Sequence, residues 1–190
     1  MLSLGSPLPS FDLPVVPGTG PSRMTHKELD NRPILMMVIC AHCPFVIHVE
    51  QGLTQLHLDY GNTVQFLAIS SNSLITHPQD GPEQLAEQAR KQAWTFPYLL
   101  DQEQTLAKDL RAACTPDFFL FSESDGGTQE LRYRGQLDGS RPGNDVPVTG
   151  SDLRAALAAV VNGEMVNAEQ RPSIGCNIKW HPGSEPDWFG

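Results

Sequence analysis

One stretch limits the possible folds more than any other. Ile34-Leu35-Met36-Met37-Val38-Ile39 is apolar at every position. A strand sends alternate side chains to opposite faces, so this segment needs cover on both of them. That requirement marks a central strand, often of a parallel sheet. Cys40-Ala41-His42-Cys43 follows directly, and Pro44 then opens a segment with Val46, Val49, Leu53, Leu56 and Tyr60 at three- and four-residue steps. This is an amphipathic helix of about four turns. Pro44 suits its first turn, where the amide has no partner to lose, and Gly61-Asn62 ends it. The C-x-x-C therefore sits where a central strand meets the start of a helix, the end of α/β strands that usually carries chemistry.

The rest of the chain alternates in the same way. Val64 to Ile69 predicts a second buried strand, and Asp80, Pro82 and Glu83 signal the start of a helix reaching to about Ala93. Phe96 to Leu100 reads as a short extended piece and Gln104 to Ala112 as a short helix. Thr115-Pro116 introduces the strand Asp117 to Phe121. A turn at Ser124 to Gly127 and a returning strand over Leu131 to Gln136 complete a hairpin. Thr149 to Asn162 predicts the last helix. Five prolines in the first 21 residues predict an extended lead-in, with a short edge strand or hairpin near Phe11 to Val16 and a turn or short helix over Thr25 to Asn31. After Glu164 there is no periodicity, which predicts a tail wrapped on the surface. The expected architecture is α/β: a single domain over residues 1–190 with a mixed central sheet, helices on both faces, an N-terminal extension (1–32) and a tail (164–190).

Charge and composition exclude several functions. Lys+Arg minus Asp+Glu is 13 − 22 = −9, with no basic cluster, so neither nucleic acid nor an anionic membrane surface is an expected partner. No apolar run approaches the roughly 18 residues of a membrane span, and the N-terminus has no basic and apolar leader pattern. The expected location is cytoplasmic. At 190 residues and 39% hydrophobic, the chain can build a core without a disulfide framework. Its four cysteines, at 40, 43, 114 and 176, are therefore read for chemistry.

A thiol at a helix N-terminus meets unpaired amides that stabilise thiolate, and the C-x-x-C spacing permits a reversible disulfide. His42 is expected to stabilise the thiolate of Cys40, so Cys40 is expected to titrate below the ~8.5 of a free thiol. The other readings are a metal site and inert packing. A closed zinc site wants four ligands, and with no second C-x-x-C the spare ones would come from His42, His48, Cys114 or Cys176. Thr115-Pro116 is a weak signal alone, since proline often begins a strand. His48 and His57 read as surface or boundary residues and Trp94, Trp180 and Trp188 as packing groups. Arg141, in the SRPGN loop, is a minor candidate for touching substrate.

C-x-x-C and Thr115-Pro116 on this topology resemble the thioredoxin fold, in which a cis-proline loop faces the cysteines and presents backbone to an extended substrate. More specifically, the chain resembles the peroxiredoxin-like branch of the thioredoxin superfamily, within the alkyl hydroperoxide reductase/thiol-specific antioxidant (AhpC/TSA) group. The resemblance rests on CAHCPFV (Cys40 to Val46), FLAISSN (Phe66 to Asn72), FPYLLD (Phe96 to Asp101), CTPDFFLF (Cys114 to Phe121), YRGQLDGSRPGN (Tyr133 to Asn144), PVTGSDLRAAL (Pro147 to Leu157) and PSIGCNIKW (Pro172 to Trp180). It implies a thiol-disulfide oxidoreductase in which Cys40 attacks and Cys43 resolves, with Thr115 and a cis Pro116 docking the substrate. A second implication is a thiol-dependent hydroperoxide reductase with Cys43 as the peroxidatic residue. In that T-x-x-C-P frame the threonine is replaced by Cys40 and an upstream proline by Met36, so peroxide is expected to react more slowly than disulfides. C-x-H-C also resembles the motif of periplasmic disulfide oxidases, where the histidine depresses the attacking thiol's pKa. A third reading is a non-enzymatic module holding a metal or partner through the same cysteines. Cys114 and Cys176 are candidate auxiliary thiols. The enzyme readings require no organic cofactor or metal, take a protein or small-molecule disulfide or a hydroperoxide as substrate, and draw electrons from an external thiol donor.

Overall fold

The computed structural model describes residues 1–188, so the last two positions of the expected tail lie outside it. An antiparallel ribbon of β1 (Asp12–Pro14) and β2 (Arg23–Thr25) leads through a 3-10 turn (His26–Glu28) to β3 (Ile34–Val38). Next come α1 (Pro44–Tyr60), β4 (Gln65–Ser70), a second 3-10 turn (Pro78–Asp80), α2 (Pro82–Lys91), β5 (Tyr98–Leu100) and α3 (Thr105–Asp109). The last elements are β6 (Cys114–Thr115), β7 (Asp117–Glu123), β8 (Gln129–Gly135), α4 (Ser151–Val161) and β9 (Cys176–Asn177).

The main sheet has the order β5-β4-β3-β7-β8. Strands β3, β4 and β5 are parallel, joined by helical crossovers, and β7 and β8 are added antiparallel. Strand β3 is central and fully buried, as its two apolar faces require. Leu35, Met37 and Ile39 join one core layer, with Val46, Val49 and Leu53 of α1, Leu85 of α2 and Leu153 and Leu157 of α4. Ile34, Met36 and Val38 point the other way, to Leu106 and Ala107 of α3 and to Phe11, Ile178 and Trp180. This is the expected mixed sheet covered on both faces, and it carries the end of β3 into the first turn of α1.

The differences from expectation lie in short elements. α3 is only Thr105–Asp109, because Arg111 takes a positive φ of 52° that breaks the helix before Ala112. The ladder formed by β6 and β9 has no hydrophobic pattern to announce it. Two glycines let the tail lie down: a Cβ on Gly135 would stand 2.1 Å from the carbonyl oxygen of Arg171, and one on Gly175 would stand 2.0 Å from that of Thr115.

Candidate active site

The sheet ladder ends where the Ile39 N–H donates to the Ile69 carbonyl (3.0 Å), and the chain then turns through the C-x-x-C. Cys43 is the N-cap of α1, and its carbonyl accepts from the Val46 and Ile47 amides, each at 3.0 Å. Both cysteine side chains are buried and not disulfide-bonded to each other.

The turn is held by a residue that sequence reasoning treated only as part of a helix start. Asp80 closes the 3-10 turn before α2 and is fully buried. Its Oδ1 accepts the backbone N–H groups of Ala41 (3.0 Å) and His42 (3.2 Å). Its Oδ2 meets the His42 Nδ1 at 2.6 Å and accepts from Asn72 Nδ2 at 2.8 Å. A carboxylate accepts only, so the His42 Nδ1 carries its proton toward Asp80. The His42 ring also stacks on His77, with centroids 5.4 Å apart. The only advance signal for Asp80 was an acid beside Gly81-Pro82, which any helix start would show.

On the other side lies the loop after β6. The Thr115-Pro116 bond is cis, as expected. The Thr115 hydroxyl is 3.6 Å from Cys40 Sγ and its carbonyl oxygen 3.3 Å from Cys43 Sγ. Strand β9 pairs with this loop so that Cys176 stands opposite Thr115. Cys40, Cys43, His42, Thr115, Pro116 and Cys176 thus converge. Cys114 Sγ instead donates to the Pro116 carbonyl at 3.8 Å, and burial, with Asp117 nearby, pushes its pKa up.

The two thiols are driven in opposite directions, and the expectation for Cys40 is overturned. Cys40 is raised well above the ordinary thiol range: its S–H serves as donor to Cys43, its site is buried, and the Asp80 charge opposes a second anion there. Cys43 is lowered well below that range, chiefly by the hydrogen bond from Cys40 and then by Thr115, Cys176 and the Val46 amide, against the cost of burial. The His42 Nδ1 is held chiefly by Asp80 at 2.6 Å, with Cys40 Sγ a longer contact at 3.9 Å from the same nitrogen.

Cys40, His42 and Asp80 offer ligand atoms within 4.8 Å of one another and could hold a cation, although the His42–Asp80 hydrogen bond already occupies two of them. The cavity beside Pro116 holds only about 10 Å³, lined by Phe45, Gln136, Arg141 and the tail residues Ser173 and Ile174. That is about the size of one water. The remaining candidates are structural. His48 bonds Ser140 (2.7 Å), His57 packs edge-on to Phe66 and Phe96, and Trp94 and Trp180 are buried in the two core layers. The Trp188 ring lies under the Arg111 guanidinium, 4.8 Å from its centroid. Arg141 spends its guanidinium on the Asp138 and Ser140 carbonyls and on Gln136, tying its own loop. Among the described residues no helix is long and apolar enough to cross a membrane.

Comparison with known proteins agrees with this architecture. Residues 4–134 match the sequence model of the AhpC/TSA family. An uncharacterized conserved protein from Geobacillus kaustophilus is 42% identical, with TM-score 0.89 over 97% of this chain and 95% of that one. A hypothetical protein from Sinorhizobium meliloti 1021 is 40% identical, with TM-score 0.89 over 96% and 97%. AhpC from Mycobacterium tuberculosis, at 16% identity, shares the fold, with TM-score 0.58 over 86% and 96%. No curated protein matches the chain.

Proposed function

The chain belongs to the AhpC/TSA family, and on that premise we propose that it is a thiol-disulfide oxidoreductase working through Cys40 and Cys43, with Cys43 as the attacking thiolate. One observation carries the reading. The lowered thiol of Cys43 lies 3.3 Å from the Thr115 carbonyl, on a loop edge that already accepts an extended strand. Strand addition supplies main-chain hydrogen bonds to a docked peptide without regard to its side chains.

In the forward direction the Cys43 thiolate attacks one sulfur of a substrate disulfide. A mixed disulfide forms and the other substrate sulfur leaves as a thiolate. Cys40 then gives up its proton and attacks the Cys43 sulfur, which closes the Cys40–Cys43 disulfide and expels the second substrate thiol. The raised pKa of Cys40 keeps it protonated until that step. An external thiol donor returns the pair to the dithiol.

The low pKa of Cys43 also favours a second reading, reduction of a hydroperoxide through a sulfenic acid on Cys43 that Cys40 condenses to a disulfide with loss of water. Fast peroxide cleavage needs donors aimed at both oxygens. The groups around Cys43 are thiols, the Thr115 hydroxyl, the Val46 amide and the Thr115 carbonyl, which only accepts. The test is rapid mixing of the reduced protein with hydrogen peroxide and, separately, with insulin disulfides under dithiothreitol. Disulfide exchange is expected to be the faster reaction. Peroxide oxidation near the ~10⁸ M⁻¹s⁻¹ diffusional regime with no insulin reduction would overturn this assignment in favour of the peroxidase.

A further inference from the structure

We propose that Cys40, His42 and Asp80 form a binding site for a zinc-type divalent cation, and that the bound metal takes Cys40 out of thiol exchange. The ligand atoms are Cys40 Sγ, His42 Nδ1 and a carboxylate oxygen of Asp80, all within 4.8 Å of one another. Sγ and Nδ1 are 3.9 Å apart, and Nδ1 and Oδ2 are 2.6 Å apart. A tetrahedral zinc site with ordinary bond lengths has ligand–ligand edges of about 3.4–3.6 Å. The Sγ–Nδ1 edge therefore needs to close only slightly. The His42–Asp80 contact needs to open by about 1 Å, as the metal takes the place of the proton between them.

Charge is the reason to expect a cation here. Asp80 is 0% exposed, and among the described residues it has no lysine or arginine partner; its one ion pair is with His42. A buried carboxylate without a cation is costly, and a thiolate beside it more so. A divalent ion balances both, because one carboxylate, one thiolate and one neutral imidazole then give a site of zero net charge. On binding, the Cys40 S–H proton leaves to solvent. The His42 Nδ1 proton gives way, and the neutral ring carries its proton on Nε2. Thiolate and imidazole suit zinc and are poor ligands for the hard ions Mg²⁺ and Ca²⁺.

The surrounding bonds already hold these groups in place. Asp80 Oδ1 accepts the Ala41 and His42 amides, Asn72 Nδ2 donates to Oδ2, and Gln88 Nε2 donates to the Cys40 carbonyl at 3.2 Å. Outer partners of this kind fix ligand orientation. The His42 side chain is 27% exposed, which gives a cation a way in and leaves a fourth position to water. A metal-bound Cys40 sulfur is not free to attack a mixed disulfide on Cys43. Cys43 can still take up substrate, so the metal stops exchange between its two steps. That consequence rests on the dithiol reading above, whereas the site does not.

The test titrates Co²⁺, a spectroscopic stand-in for zinc, into the reduced full-length chain and then displaces it with Zn²⁺. The expected result is a single site with a thiolate-to-cobalt charge-transfer band that Zn²⁺ bleaches. The band should persist in Cys43→Ser. Affinity should fall at least about tenfold in His42→Ala, which leaves Asp80 bonded to Asn72 and to the turn amides. No band in the wild type, or unchanged affinity in His42→Ala, would overturn the site. Loss of the band in Cys43→Ser would also overturn it, in favour of chelation by the two cysteines. Exchange is read separately, by mass spectrometry after addition of oxidised glutathione. Metal-free protein should proceed to the Cys40–Cys43 disulfide, and zinc-loaded protein should stop at a glutathione adduct on Cys43. Disulfide closure with zinc still bound would overturn the block on Cys40. Metal-free protein that forms neither adduct nor disulfide would sink the dithiol reading and leave the metal site standing.

Discussion

On one side of the dithiol, Cys40 faces a fully buried carboxylate; on the other, Cys43 faces a hydroxyl, two thiols and the first amides of a helix. The two cysteines belong to one four-residue turn and have the same intrinsic chemistry. They differ first through the hydrogen bond between them; Asp80 then reaches the Cys40 end of the turn from before α2, while Thr115, from after β6, touches both sulfurs. Negative charge beside Cys40 makes a second anion costly, while donors around Cys43 make its anion favourable. The difference between the two thiols thus starts from their own hydrogen bond and is reinforced by groups from outside the motif.

The comparison breaks most visibly when either sulfur is removed. Cys43→Ser should lower disulfide reduction at least ~10³-fold, the scale of losing a nucleophile. Cys40→Ser should still form the first covalent bond to substrate, seen as an adduct by intact-mass spectrometry. Adduct formation in Cys43→Ser and none in Cys40→Ser would reverse the assignment.

Next in size is loss of the carboxylate. Asp80→Asn replaces an all-acceptor group with one that points a donor at His42 or at the turn amides, so stability measured by urea unfolding should fall by ~2–4 kcal/mol. The thiolate absorbance of Cys40 should also appear at lower pH, because the opposing charge is gone. A Cys40 titration that does not move would show that burial alone holds it protonated.

A second buried carboxyl, beside Cys114, sharpens the contrast. Asp117 follows Pro116, and burial pushes it up to about 7. A carboxyl raised in the folded state favours folding most fully below its unfolded value near 3.9, and that favour is lost as pH rises through the folded value. Between pH 5 and 8 the wild type should therefore lose ~2–3 kcal/mol relative to Asp117→Asn in parallel denaturant titrations. Parallel pH profiles for the two proteins would mean that Asp117 is charged throughout this range.

The smallest effect is expected at His42. With its Nδ1 committed to Asp80, His42→Ala should leave the Cys43 thiolate absorbance curve where it is and cost about 1 kcal/mol of stability. A clear rise in the titration midpoint of Cys43 would restore the histidine to the role its place in C-x-H-C suggests.

What could be read from residues alone was what repeats or punctuates. The two-faced apolar run at Ile34 to Ile39, the three-and-four spacing from Val46 to Tyr60 and the turn at Ser124 to Gly127 each report local burial or backbone conformation. They were enough to place the mixed sheet and to put Cys40 and Cys43 at the junction of strand and helix. Thr115 and Pro116 were placed opposite the cysteines through resemblance rather than periodicity. Asp80, Asn72 and the docking of Cys176 left no such trace, since each acts through individual hydrogen bonds or ladder pairs to residues distant in the chain. A lone Asp before a helix and a lone Cys in an irregular tail look the same whether they serve the site or not. Which thiol becomes the anion depends on electrostatic interactions that weaken with distance through space, and only the folded chain determines those distances.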